Sequence, residues 1–344
     1  MNTDGAVRVA AVDCGTNSLR LLIADVNREA GVLADVDRRM EIVRLGQGVD
    51  ATGRLAPEAL ARTFRVLEQY ADAIRAARAT PVRMVATSAT RDSANAAEFV
   101  SGVTGILGIA PEVLSGHEEA RLSFAGATAE LAAARPTAPA GHLVAPRSPG
   151  GGTPPPGDTP PPYLVVDIGG GSTEFVVGDG RGTEAGPVAA LSVNIGCVRM
   201  TERHLRSDPP RPEEIAAATA DIDAALDEVA GKVPVASART LIGLAGSVTT
   251  VAAIALGLTE YDPGRIHHAR VGAGQVHRVT EDLLGQTHEQ RARIGVMHPG
   301  RVDVIGGGAL VLDRVLRRFG FADVVASEHD ILDGIAWSMA AGGS

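Results

Sequence analysis

Lysine is almost missing. Lys232 is the only one in 344 residues, and nearly all the positive charge sits on arginine. That excludes every phosphate-binding scheme built on a Gly-Lys-Ser/Thr loop. Aromatic residues make up only 3%, too few for the stacking platforms that bind single-stranded nucleic acid. Basic residues number 32 against 41 acidic ones, a formal net charge of −9, so no broad basic face exists to hold a nucleic-acid polymer. Two cysteines, Cys14 and Cys197, cannot make a disulfide framework. The N-terminus lacks a basic region followed by an apolar run, so no secretory signal is read and a cytoplasmic address is expected. One uncharged stretch, Thr240–Thr259, has about the length of a membrane span. Gly243, Gly246, Ser247, Thr249 and Thr250 near its middle make a buried strand, a turn and a buried helix the better reading. No membrane contact is expected.

What is present suits a packed globular protein: 45% apolar and 21% charged residues, in a chain long enough for two domains. Ten of the 20 prolines fall in Pro136–Pro162, with Gly150-Gly151-Gly152 among them. Such a segment buries too little apolar surface to offset its ordering entropy, so it reads as a loop or linker. The expected division is therefore residues 1–135, a linker at 136–162, and residues 163–344. The two halves echo each other. VAAVDCGTNSLRLLIAD (Val9–Asp25) and YLVVDIGGGSTEFVVGD (Tyr163–Asp179) align at an offset of 154 residues, pairing Asp13 with Asp167, Gly15 with Gly169, Ser18 with Ser172 and Arg20 with Glu174. Each copy reads as apolar strand, acidic residue, glycine–hydroxyl turn and second strand, which implies a duplicated architecture.

The remainder alternates. Pro57–Ala79 carries an apolar helical face. Val82–Ala86 reads as a strand, followed by the turn Thr87–Asp92 and a helix from about Ser93. Val113-Leu114 enters a turn before a helix near His117. Leu241–Leu244 reads as a strand before Gly246-Ser247 and a helix. Val302–Ile305 reads as a strand before the turn Gly306-Gly307-Gly308 and a helix through Arg318. Strands alternating with helices predict α/β layers, here two lobes facing each other across a cleft.

Glycine turns let backbone N–H groups approach an anion closely, and Thr16, Ser18, Ser172 and Thr173 add hydroxyl donors. Asp13 and Asp167 would hold Mg²⁺, which takes one or two carboxylates plus waters and phosphate oxygens. A dinucleotide fold fails on order, because Gly169-Gly170-Gly171-Ser172-Thr173 leads into a strand rather than a helix. The helix starts near Gly246-Ser247 and Gly306–Gly308 are further candidate anion sites. Glu118 and Glu119 open a helix. One could deprotonate water and either could serve the helix dipole, and the sequence alone does not rank them. Arg91, after a polar turn, is a candidate phosphate clamp. The histidines show no metal-ligand pattern, and His267-His268 are read as adjacent strand residues pointing apart. Cys14 is read as a small residue in a tight turn rather than a nucleophile.

Six strings are familiar together: Ala10–Asp25, ATSATRDSAN (Ala86–Asn95), VLSGHEEARLSF (Val113–Phe124), LVVDIGGGSTEFV (Leu164–Val176), LAGSVTTVAA (Leu244–Ala253) and GRVDVIGGGALVL (Gly300–Leu312). The chain resembles the exopolyphosphatase / guanosine-pentaphosphate phosphohydrolase family, in its short two-domain form. The resemblance implies two ribonuclease H-like lobes of the actin–hexokinase–Hsp70 superfamily around a central cleft. It implies hydrolysis of a terminal phosphoanhydride of inorganic polyphosphate, with short chains favoured, or of guanosine pentaphosphate. Glu119 is then the implied base. Gly15, Thr16, Asn17, Ser18 and Arg20 form the first phosphate loop, and Gly169, Gly170, Gly171, Ser172 and Thr173 the second. Asp13, Asp167 and Glu174 are the implied ligands of Mg²⁺ or Mn²⁺. A homodimer is also implied, and the final helix (about Ile331–Ala341) is expected to return to the first lobe.

Overall fold

The structure, a computed structural model, describes residues 5–133, 159–180 and 189–340. Most of the proline-rich stretch 136–162 therefore lies outside the described residues. The first sheet contains β1 (Val7–Cys14), β2 (Ser18–Asn27), β3 (Val32–Ile42), β4 (Val82–Ala86) and β5 (Glu112–Val113), in the order β3-β2-β1-β4-β5. The second contains β6 (Tyr163–Ile168), β7 (Thr173–Gly178), β8 (Ala189–Val193), β9 (Thr240–Leu244), β10 (Arg270–Gly272) and β11 (Asp323–Ala326), in the order β10-β11-β9-β6-β7-β8. Read from β8 inward, the second order repeats the first, with β10 added as an antiparallel edge strand. Each sheet starts with an antiparallel hairpin and continues in parallel through its crossover strand. These are two ribonuclease H-like lobes of the actin–hexokinase–Hsp70 type.

The repeat reaches single residues. Asp13 pairs across its hairpin with Arg20, and Asp167 pairs with Glu174 at the equivalent register. The last six residues of β1 and all of β6 and β7 are buried, because helices cover both faces of each sheet. The uncharged stretch from Thr240 becomes the buried strand β9 and the helix Ala245–Ala255. Among the described residues no helix is long and apolar enough to cross a membrane.

Two expectations fail locally. Val302–Ile305 is not a strand: a single 3-10 turn, Pro299–Arg301, leads into the helix Ile305–Phe319, and the fifth strand of the repeat is β11. Gly306–Gly308 is therefore the first turn of a buried helix rather than a turn preceding it. Glycine is a poor helix former, but tertiary packing overrides that here. A Cβ on Gly307 would come within 2.8 Å of the Cys197 carbonyl, and one on Gly308 would collide with the Ser247 side chain. The turn at Thr87 also closes into one helical turn, Ser88–Arg91, and the next helix starts at Ala96 rather than Ser93.

The lobes exchange helices. Helix Gly116–Ala133 follows β5 of the first sheet, yet its Ala120, Phe124, Ala127 and Leu131 bury against Tyr163, Val165, Val176 and Ile242 of the second. The final helix, Ile331–Met339, follows β11 of the second sheet and packs Ile331, Leu332, Ile335 and Ala336 on Val9, Ala11, Leu22 and Val85 of the first. The return of the final helix matches the sequence reading, whereas the departure of Gly116–Ala133 had no counterpart in it. The two helices cross at Gly126 and Gly334, where a Cβ on either would collide with backbone of the other segment, Asp330 or Leu122 respectively. Backbone cannot rotate away as a side-chain tip can, so Gly126→Ala should lower stability by about 1–3 kcal/mol, as overpacked sites do. Gly105→Ala, on an exposed helical position with open space, should be neutral or stabilising. Denaturant melts of the two variants check this, and equal melts would remove the crossing from the account.

Candidate active site

The hairpin turns of the two lobes face each other. In the first, the Gly15 amide donates to the Ser18 carbonyl at 3.0 Å. Across the gap lies the second turn, Gly169–Ser172. The Thr16 and Ser88 hydroxyls are 3.0 Å apart. A Cβ on Gly170 would lie 2.8 Å from Thr16 Cβ, and one on Gly171 would lie 2.6 Å from Ser88 Oγ. The glycines thus allow the lobes to close on one another as well as allowing an anion to approach. The carbonyls of Gly169, Gly170 and Gly171 accept from the amides of Cys197, Val198 and Gly196, at the start of helix Cys197–Arg203. Among the described residues no backbone carbonyl takes the amides of Gly170 and Gly171.

The cleft between the turns encloses ≈ 90 Å³. Of the expected phosphate-binding residues, Gly15, Thr16, Asn17, Ser18, Arg20, Gly169, Gly170, Ser172, Gly246 and Ser247 line it, together with Asp13, Asp167 and Glu119. Four expected site residues stand behind this wall. Gly171 packs on Ser88. Thr173 is buried and its hydroxyl donates to the Ile195 carbonyl at 3.0 Å. Glu174 is buried and accepts from Ser192 Oγ at 2.7 Å. Arg91 donates from Nη1 to the Leu114 carbonyl at 2.7 Å and to Glu119 Oε2 at 3.2 Å, so its charge is turned on the glutamate rather than into the cleft.

The geometry ranks the two glutamates. Ser115 and Glu118 form a reciprocal cap: Ser115 N–H donates to Glu118 Oε2 at 3.0 Å, and Glu118 N–H donates to Ser115 Oγ at 3.3 Å. Glu118 is exposed, and that hydrogen bonding holds its carboxyl below the usual range. Glu119, one residue on, is buried at the cleft wall.

Four carboxylates, Asp13, Glu119, Asp167 and Glu174, are buried around the cleft. Burial pushes each of them up. It lifts Asp167 to about 6 against the Ser123 hydroxyl, which donates to Asp167 Oδ2 at 2.6 Å. Burial and then the Asp167 charge lift Glu174 to about 7. Glu119 is raised well above the usual carboxylate range by burial and then by Glu174, with Arg91 opposing. Asp13 is raised by burial against the pull of Arg20, whose Nη2 lies 2.6 Å from Asp13 Oδ2. Asp13 Oδ1 is buried with no partner. An orphaned carboxylate oxygen amid excess negative charge fits a divalent cation, so the donor set suits Mg²⁺. Burial also raises the Cys14 and Cys197 thiols, leaving both neutral.

Several site residues had no clear signal in the sequence. Arg301 lines the cleft, donates to Thr250 Oγ1 at 3.2 Å, and lays its guanidinium where a Gly246 side chain would be. It makes no ion pair with any described carboxylate. Asp330 caps the final helix through the Leu332 amide and ion-pairs with Arg20, so Arg20 sits between two carboxylates. Ala245 opens its helix with φ +66, backbone strain at the cleft wall. Only Arg301 was traceable, through the Gly300–Leu312 string.

The family model for the Ppx/GppA phosphatase family matches residues 22–137 and 160–341, most of the chain. This protein belongs to that family. The unmatched residues between the two segments fall inside the proline-rich stretch. A relative named exopolyphosphatase 2, from Mycobacterium tuberculosis, is 47% identical over 97% of this chain and 98% of its own. Among solved structures, an exopolyphosphatase-like protein is 42% identical, with a TM-score of 0.85 over 97% of this chain and 99% of its own. The Ppx/GppA enzyme of Aquifex aeolicus is 29% identical, with a TM-score of 0.75 over 97% of this chain and 99% of its own.

In this Ppx/GppA chain the raised carboxylates bind protons more tightly folded than unfolded. They therefore cost no stability below the unfolded carboxylate range, and the cost grows as pH rises from about 4 to about 7. Asp167→Asn should recover on the order of 2 kcal/mol at pH 8 in chelator-treated protein. Denaturant melts across pH read this directly. An unchanged or lowered midpoint would mean that the carboxylates do not strain the fold.

Proposed function

We propose that the chain is an exopolyphosphatase that releases terminal orthophosphate from inorganic polyphosphate. The observation carrying this is Glu119, a buried carboxylate facing the gap between two apposed phosphate-type turns. The identity to the named exopolyphosphatase supports the substrate. The terminal phosphoryl group sits between the turns, held by the Gly170 amide, by Ser18 and Ser172 and by Arg301. Asp167 and Asp13 would hold Mg²⁺, with Glu174 behind them, and the ion when bound would offset the negative charge of the phosphate oxygens. Glu119 orients a water and takes its proton. A carboxylate must be ionised to accept that proton, and a cation bound beside it would favour that form. Arg91, bonded to Glu119, fixes the carboxylate's direction. The shortened chain then leaves. Positioning and charge stabilisation are most of what phosphoryl transfer requires.

The narrow cleft favours short chains, which need few further contacts. A second reading has its own support. A pocket of ≈ 380 Å³ opens beside the cleft, sharing Arg20, Gly246 and Arg301 and walled by Tyr261, Val296 and Met297. It has room for a nucleoside, which is what guanosine pentaphosphate would place there. A homodimer and a cytoplasmic address belong to the same proposal, and light scattering and cell fractionation test them.

Phosphate release with Mg²⁺ from polyphosphates of several lengths and from guanosine pentaphosphate separates the two substrates. Short polyphosphate should be turned over fastest, and guanosine pentaphosphate turned over far faster would install the second reading. Glu119→Gln should lower kcat by roughly 10²–10⁴ with KM little changed. A fully active variant would remove Glu119 as base. Arg301→Ala should mainly raise KM, by about tenfold or more, as loss of a charged hydrogen bond does. An unchanged KM would take Arg301 out of the substrate contact.

A further inference from the structure

Outside the cleft, Glu130, His267, His268 and His329 converge from three separate segments. His267 Nε2 lies 3.1 Å from Glu130 Oε2, and His329 Nδ1 lies 3.5 Å from Glu130 Oε1. The rings of His267 and His268 stack with centroids 3.7 Å apart, and those of His267 and His329 are 4.5 Å apart. Here the structure overturns the sequence reading. The adjacent histidines are not on a strand, because β10 begins only at Arg270. His268 takes φ +62, in the left-handed region, and folds its ring back onto His267. That conformation is uncommon outside glycine. It is pinned by the His268 amide, which donates to the Ala326 carbonyl at 2.8 Å.

We propose that Glu130, His267 and His268, with His329 alongside, form a binding site for a divalent transition-metal ion such as Zn²⁺, separate from the catalytic cleft. One ligand atom from each of the first three already lies within 4.8 Å of the others. Bonds of about 2.0–2.2 Å to zinc would draw them slightly closer. Two imidazoles and a carboxylate select zinc, cobalt, nickel or copper over magnesium, which prefers oxygen ligands and retained water. Imidazoles are ordinarily half-protonated at about pH 6.5, so at about pH 7.5 and above their lone pairs are mostly free for an ion. Glu130 and His268 are exposed, which gives an ion a route in.

The site is joined to the cleft through covalent structure. Glu130 is on the helix that carries Glu119, eleven residues further on and about 16 Å along its axis. The Glu328 amide donates to His267 Nδ1 at 3.2 Å, which puts the ring proton on Nε2, facing Glu130. Ligation through Nε2 moves that proton to Nδ1 and ends the Glu328 bond. The change falls on the segment Glu328–Asp330, whose last residue holds Arg20. Metal occupancy therefore acts on two elements of the cleft wall without touching substrate.

The inference stands whether or not the chain hydrolyses polyphosphate. Its test is zinc binding to the tag-free, chelator-treated full chain by calorimetry, with excess Mg²⁺ present to occupy the cleft. One equivalent should bind. Glu130→Gln and His268→Ala should each weaken it by about tenfold or more, while the zinc-free thermal melt and Mg²⁺-dependent phosphate release stay as in the parent. Zinc should raise the melting temperature of the parent and not of the variants. Absence of zinc binding by the parent, or unchanged affinity in the His267→Ala/His268→Ala double variant, overturns the proposal.

Discussion

The structure turns on an electrostatic imbalance. Five carboxylates, Asp13, Glu119, Asp167, Glu174 and Asp330, are buried where two lobes meet, and the nearby arginines do not neutralise them. Arg20 is shared by Asp13 and Asp330, and Arg91 is engaged by Glu119. Asp167 and Glu174 are left with hydroxyl partners, which stabilise a carboxylate but bring no charge. A fold keeps such a group of like charges only if the surrounding structure enforces it. The enforcement comes from both sheets at once, because each hairpin ends in a turn that butts against the other.

The helix exchange provides the rigidity. Helix Gly116–Ala133 carries Glu119 at the cleft, Ser123 bonded to Asp167, Phe124 in the second lobe's core, Gly126 at the crossing and Glu130 at the histidine cluster. Any rotation of one lobe against the other must move this helix or slide it past the Gly126–Gly334 crossing. Glu119, the Asp167 carboxylate and the helix crossing are thus mechanically one piece. That is how a site assembled from two lobes can keep hydrogen-bond precision.

Much of this was legible in the sequence because its chemistry is local. An aspartate closing a strand before a glycine–hydroxyl turn carries its reason within a few residues, and its recurrence 154 residues later gave the duplicated lobes. The pattern Ser115-x-x-Glu118 could also have assigned Glu118 to the cap and left Glu119 for the cleft. What stayed hidden depends on distant partners. Nothing near Gly306–Gly308 says that Ser247 and Cys197 must pack there, so a glycine run read as a turn became a helix. Arg301 and Asp330 reach the cleft from segments far along the chain. His268 breaks the strand pattern through one backbone angle, held by a bond to Ala326 that local spacing cannot show.

On the proposed reading, the cleft cannot accept a phosphate anion until a divalent cation has offset its carboxylates. Binding of the two must then be strongly linked. The direct measurement is the affinity of the full chain for orthophosphate at pH 8, with saturating Mg²⁺ and with chelator. The account predicts binding at least about tenfold tighter with Mg²⁺, a coupling within the usual range, and most of that gain gone in Asp167→Asn. Equal affinity with and without the cation would contradict it.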